Sequence, residues 1–128
     1  LTLGNSEVQC GNKHEPKASI ELIDDNGKNI KTESIGTGPV DAVCKAIDKV
    51  ISFVSKLTEF SVNSVTEGID ALGEVTIRVE NEKGRTFTGI GSDSDIVVAS
   101  AKAYLNAINR QVQMMNEGSE SPGSGAGR

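Results

Sequence analysis

The sequence predicts an α+β fold of two pseudo-symmetric βββα units, with antiparallel three-stranded sheets and two helices. Three observations carry this. The chain repeats itself at an offset of 57 residues: Ile20, Leu22, Gly27, Ile30, Val40, Ala42, Lys45 and Ala46 recur as Ile77, Val79, Gly84, Phe87, Val97, Ala99, Lys102 and Ala103. Val8 and Gly11 recur in the same register as Val65 and Gly68. Each copy places short polar–apolar alternations and a turn before a stretch with helical spacing. A repeat of this length is a whole supersecondary unit, so two copies are expected to pack face to face.

In the first unit, Val8 to Cys10 is expected to open the sheet, as the counterpart of Val65 to Glu67. Lys17 to Ile23 alternates cleanly, the pattern of a half-buried strand. Asp24-Asp-Asn-Gly27 is a turn signal, and Lys28 to Ile35 returns. Gly38 followed by Pro39 marks a helix start, with Asp41 placed where the helix dipole favours an anion. Val40, Val43, Ile47, Val50, Val54 and Leu57 continue from there in steps of three and four, predicting one amphipathic helix.

The second unit repeats the plan. Glu59 to Thr66 reads as a strand and Glu67 to Gly73 as a loop. Glu74 to Glu80 alternates, Asn81 to Gly84 turns, and Arg85 to Gly91 returns. Ser92-Asp-Ser-Asp95 precedes a helix from Ile96 to about Met115. That helix carries two adjacent stripes: Ile96, Ala99, Ala103 and Ala107, then Val97, Ala101, Tyr104, Ile108 and Val112. Together they are wider than one contact requires, which predicts burial within the chain on one side and against a partner chain on the other.

The 128 residues suit one domain, expected over 1–115 with units of about 1–57 and 58–115. The Gly/Ser-rich 116–128 has no large apolar anchor and is expected to be a disordered tail. A start at Leu1 rather than Met has the look of a fragment. Aromatic content is 3% with no Trp, so the core must be aliphatic. A net charge of −5 without a basic cluster argues against nucleic acid and anionic membrane as partners. No apolar run approaches the roughly 20 residues of a membrane span, and no signal peptide is expected.

Chemistry-bearing residues are sparse, and no catalytic or metal-binding residue is assigned. His14 lies in a polar stretch without a Cys, Asp or Glu at ligand spacing and reads as a solvated loop histidine. Cys10 and Cys44 form no metal spacing and read as reduced, semi-buried side chains; nothing asks for a disulfide between them and nothing forbids one. Asp93-Ser-Asp95 lacks the Gly and Glu of a calcium loop and reads as a helix cap. Gly36-Thr-Gly38-Pro39 lacks a full phosphate-loop pattern.

A free amino acid would suit the seam between units. Its carboxylate could use the helix N-termini at Gly38 and Asp95, its ammonium Asp41, Asp93 or Asp95, and its side chain Val40, Leu57, Phe60 or Ile96.

Gly36 to Ala42, Ser64 to Val75 and Asp93 to Arg110 resemble the C-terminal regulatory domain of 2-isopropylmalate synthase, with the citramalate synthase domain as near relative. The resemblance runs from about Val8 to Arg110. It implies a cytoplasmic homodimer that binds leucine, or isoleucine in the citramalate enzymes, and inhibits a separate catalytic barrel. That barrel uses a divalent metal and condenses acetyl-CoA with a 2-oxo acid, 3-methyl-2-oxobutanoate in the leucine pathway. This chain is then expected to be no enzyme by itself and to hold no cofactor. Carried over by motif, Gly38, Pro39, Val40, Asp41, Leu57, Phe60 and Ser64 border the effector pocket. Ala71 and Gly73 form its floor, and Asp93, Ser94, Asp95 and Ile96 the second helix start. A ligand-free structural dimerisation module is the rival reading.

Overall fold

The computed structural model describes residues 2–9, 16–51, 53, 55–67 and 70–120. The element order is β1 (Thr2–Gln9), β2 (Lys17–Ile23), β3 (Asn29–Ile35), α1 (Pro39–Asp48), β4 (Lys56–Glu67), β5 (Asp70–Glu80), β6 (Thr86–Asp93) and α2 (Ile96–Glu120). Two antiparallel three-stranded sheets result, ordered β1-β2-β3 and β4-β5-β6. The fold is the duplicated βββα arrangement that the repeat predicts.

The duplication is visible at the level of single hydrogen bonds. Asp24 Oδ1 accepts from the amides of Asn26 and Lys28 at 2.9 and 2.8 Å. Asn81 Oδ1 accepts from those of Lys83 and Arg85, both at 2.9 Å. Gly27 and Gly84 close the two turns at φ of +83° and +84°, where a Cβ would be strained. On the inner faces of the central strands, Ala18, Ile20 and Leu22 match Val75, Ile77 and Val79, all buried.

The edge strands break the 57-residue register. Val8 pairs with Ala18, whereas Val62 pairs with Val75, so the structural counterpart of Val8 is Val62 and not Val65. The same shift holds at the other end, where Thr2 faces Ile23 and Lys56 faces Glu80. The β4–β5 hairpin runs on until Glu67 faces Asp70, longer than its counterpart. Ala71 and Gly73 therefore lie in a strand, not in a loop. The low strand propensity of Gly, Asp and Ala hid this extension.

α1 stops at Asp48, well short of Leu57. The amide of Lys49 still bonds Lys45 O, and that of Val50 bonds Ile47 O, tightening the last turn before the chain leaves. Val50, Ile51 and Phe53 pack against the core from the connecting segment, and Leu57 belongs to β4. Steps of three and four thus run from a helix through a connector into a strand, with Val54 of the expected helix outside the described residues.

α2 continues to Glu120, beyond the expected end near Met115. Its small-residue stripe meets β6 directly: a Cβ on Gly89 would lie 2.1 Å from Ala103 O, and one on Gly91 2.4 Å from Ala99 O. The neighbouring stripe is also covered inside the chain. Ala101, Tyr104, Leu105 and Ile108 are buried, and α2 packs on α1 and β1 as well as on β5 and β6. Most of this wide apolar face is covered inside the chain, with Val97 and Val112 left partly buried.

Cys10, His14 and the expected tail beyond Glu120 lie outside the described residues. No helix is long and apolar enough to cross a membrane, and no group of three His, Cys, Asp or Glu could hold a metal ion, both among the described residues.

Candidate functional site

Helix α1 begins with Gly38 as N-cap and Pro39 in the first turn. Glycine offers no side-chain cap, so the free amides of Val40 and Asp41 keep no side-chain partner at this end. A Cβ on Gly38 would meet nothing within 4 Å, so the approach to those amides is open. Gly36 is a packing residue rather than a phosphate cradle: it is buried, and a Cβ there would lie 2.4 Å from Ala42 N.

Asp41 reaches back over the helix start. Its Oδ2 accepts from the amide and hydroxyl of Thr37 at 2.9 and 3.3 Å and lies 3.2 Å from Lys45 Nζ. The Thr37 amide, with help from Lys45, holds its carboxyl below the usual aspartate value.

Between the outer face of α1 and the start of β4 runs a crevice of about 400 Å³, within the range of small-ligand sites. It is lined by Val40, Asp41, Cys44, Lys45 and Asp48 on the helix, by Ser55, Leu57 and Phe60 on the opposite wall, and by Tyr104 of α2. The crevice therefore lies between the two units. Tyr104 is buried and its hydroxyl donates to Asp48 Oδ1. Burial raises the pKa of Asp48, opposed by that hydrogen bond, and raises Tyr104 well above the ordinary phenol value. Cys44 is pushed up to about 12 by burial and by the two neighbouring carboxylates, so its thiol stays protonated and unreactive. Ser55 Oγ is near enough to Tyr104 to act on it, yet buried without a hydrogen bond of good geometry among the described residues.

The structure brings together four of the sequence-selected residues, Val40, Asp41, Leu57 and Phe60, beside the Gly38-Pro39 helix start. It does not bring the second helix start to them. There Asp95 Oδ1 accepts from Val97 N at 2.8 Å, so the helix caps itself. Asp93 Oδ1 accepts from Asp95 N at 2.9 Å, and its other oxygen pairs with Lys102 at 3.0 Å. These contacts, the Asp95 amide first, lower the Asp93 pKa. Ser94 stands in the turn between them. Gly73 makes room for Ile96, whose Cδ1 would lie 2.1 Å from a Cβ there. Ser64 faces Gly73 and Ala71 faces Thr66 along the β4–β5 ladder.

Sequence reasoning missed Cys44, Lys45, Asp48, Ser55 and Tyr104. One signal was available. Asp41, Lys45 and Asp48 fall at helical spacing on one face, and the sole tyrosine sits in a helix of small residues.

A wider groove of about 650 Å³ lies on the first sheet, lined by Ser19, Glu21, Lys31, Glu33 and Lys49 among others. Its charges answer one another, with Lys49 Nζ donating to Glu33 O at 2.7 Å and Lys17 pairing with Glu33 at 3.4 Å. It contains none of the sequence-selected residues.

The fold is thus a duplicated α+β unit with a partly apolar crevice between its two copies. The chain matches the LeuA allosteric (dimerisation) domain over residues 1–112 and belongs to that family. It is 52% identical over 111 residues to the 2-isopropylmalate synthase of Olsenella uli, covering 87% of this chain and 22% of that protein. It is 53% identical over 106 residues to the synthase of Prochlorococcus marinus strain MIT 9211, covering 83% and 20%. With that of Trichodesmium erythraeum it shares 50% over 114 residues, covering 89% and 21%. The chain thus spans about a fifth of the length of these curated relatives.

Proposed function

We propose that this chain is the leucine-sensing feedback domain of a 2-isopropylmalate synthase, and that leucine binds in the crevice between α1 and β4. The supporting observation is the meeting, at one seam, of an uncapped helix start with an apolar wall. The carboxylate of the amino acid takes the amides of Val40 and Asp41, where the helix dipole also favours it. Val40, Leu57 and Phe60 receive the branched side chain. Ammonium and carboxylate sit on one carbon, so both must be met at the same end. Asp41 is there; Asp48 is two helical turns away, about 10 Å.

The parent enzyme then condenses acetyl-CoA with 3-methyl-2-oxobutanoate in a separate, metal-dependent barrel of a cytoplasmic homodimer. Leucine inhibits it by binding one arrangement of the regulatory dimer more tightly than another. A coupling of about 1–3 kcal/mol is enough for strong inhibition. Titration of leucine, isoleucine and valine, followed by amide chemical shifts, tests the reading. Shifts centred on 38–45 and 55–60 with leucine are expected. No response to any of the three leaves a structural dimerisation module, and a stronger response to isoleucine makes this a citramalate synthase-type sensor.

A further inference from the structure

We propose that Asp48 and Tyr104 are positioning residues for the effector: their hydrogen bond holds the crevice-facing side of α1 against α2 and so sets the shape of the crevice that both line. This rests on the leucine-site reading above.

The bond joins the last residue of α1 to the first half of α2, so it ties the first unit to the second. Both residues line the crevice, across from Leu57 and Phe60. Asp48 stands against local preference. A carboxylate at a helix C-terminus opposes the dipole, and partial burial penalises its charge. No lysine or arginine pairs with it among the described residues; Lys45 is engaged by Asp41, and Lys49 donates to Glu33 O. What compensates is a neutral donor from a buried tyrosine. A residue that breaks local rules and is answered only by a contact from the other unit is placed to set geometry between units.

α1 is held from its other side as well, where Thr32 Oγ1 of β3 donates to Ala46 O at 2.8 Å. These two bonds grip the last turn of a short helix. The opposite end, Gly38 to Asp41, carries the amides that would meet the carboxylate. Releasing the Tyr104 grip frees α1 to tilt and changes the crevice width along its length.

The experiment is calorimetric titration of leucine and isoleucine into the full protein that carries this chain, as wild type and as Tyr104→Phe, Asp48→Ala and Asp48→Asn. Tyr104→Phe and Asp48→Ala are expected to weaken leucine binding about tenfold, the scale of one hydrogen bond to a charged group. The leucine-to-isoleucine affinity ratio should move toward one as the crevice loosens, which a loss of stability alone would not do. Asp48→Asn retains an acceptor for Tyr104 and should stay within about threefold of wild type. Circular dichroism identifies the variants that keep the fold, and Asp48→Ala replaces Tyr104→Phe should the latter fail to fold. Wild-type affinity and ratio in Tyr104→Phe or in Asp48→Ala would overturn the proposal. So would a loss in Asp48→Asn as large as in Asp48→Ala, since that puts the carboxylate charge itself on the effector. Wild-type protein that takes up neither amino acid overturns the sensor reading as well, a result distinct from every variant pattern.

Discussion

Gly91 of β6 lies directly under Ala99 of α2: a Cβ on the glycine would come within 2.4 Å of the Ala99 carbonyl oxygen and 2.6 Å of the Ala103 amide nitrogen. Both obstacles are backbone, so no side chain can turn away. Gly91→Ala should therefore push the helix off the sheet and cost about 3 kcal/mol, the upper range of overpacking. Its counterpart in the first unit is Ser34, where the sequence already accommodates a side chain. Ser34→Ala should change stability by less than about 0.5 kcal/mol. Urea unfolding of both variants checks the contrast, and equal losses would mean that α2 does not approach β6 this closely.

That asymmetry shows which parts of the fold were legible in advance. The turns at Asp24 to Gly27 and Asn81 to Gly84 were readable, because the side-chain and glycine requirements are local. The start of each helix was readable for the same reason. The end of α1 was not, since Val50, Ile51 and Phe53 keep the apolar spacing after the helix has stopped. The register of β1 was misread because an apparent match of Val8 to Val65 outweighed a length difference in the hairpin. In the crevice, Val40 followed from periodicity, Asp41 from the helix start, and Leu57 and Phe60 from their place near the repeat seam. The Asp48–Tyr104 bond spans 56 residues, and no local pattern reports a contact of that kind.

Substitution at Gly38 is expected to separate folding from effector binding. Its φ of −155° is open to any residue, and a Cβ there meets nothing within 4 Å. An aspartate is also a better N-cap than glycine, by a few tenths of a kcal/mol. Gly38→Asp should thus leave the melting temperature unchanged or slightly raised. The same carboxylate would compete for the amides of Val40 and Asp41 and repel that of leucine, and at least a tenfold loss of affinity is expected. Normal leucine inhibition in the full-length variant would place the site elsewhere.

Asp41 and Asp48 should leave opposite marks on the pH dependence of stability. The Asp41 pKa is lowered on folding below the ordinary aspartate value, chiefly by the Thr37 amide, so its contribution is present above that ordinary value and fades as pH falls through the folded pKa. Asp41→Asn should cost about 0.5 kcal/mol near pH 7, a size discounted for the solvent that reaches this side chain. The difference from wild type should shrink as the pH falls toward the lowered folded pKa. The Asp48 pKa is raised, so folding is favoured when it takes up its proton, and the ionised form carries a penalty at neutral pH. Asp48→Asn should be at least as stable as wild type at pH 7 and lose that advantage in acid. Thermal melts at pH 2, 4 and 7 read both signs.

The inner face of β4 carries an uncovered apolar strip, the expected seam of a dimer. Leu57, Phe60 and Val62 face the same side as Val79, Ile77 and Val75 on the adjacent strand, which are fully buried. Yet the three β4 residues remain 39–43% exposed, because α2 packs on β5 and β6. An uncovered apolar strip on an otherwise buried face is a place for a partner. It also borders the crevice through Leu57 and Phe60, so a dimer formed there would complete the effector wall. Val62 lies outside the crevice lining, which lets the interface be tested apart from the site. Val62→Lys should shift the protein from dimer to monomer in sedimentation velocity at micromolar concentration. Its melting in dilute solution should change by less than about 1 kcal/mol, since the side chain is already half in water. A variant that sediments as the same dimer would move the seam to another face of the molecule.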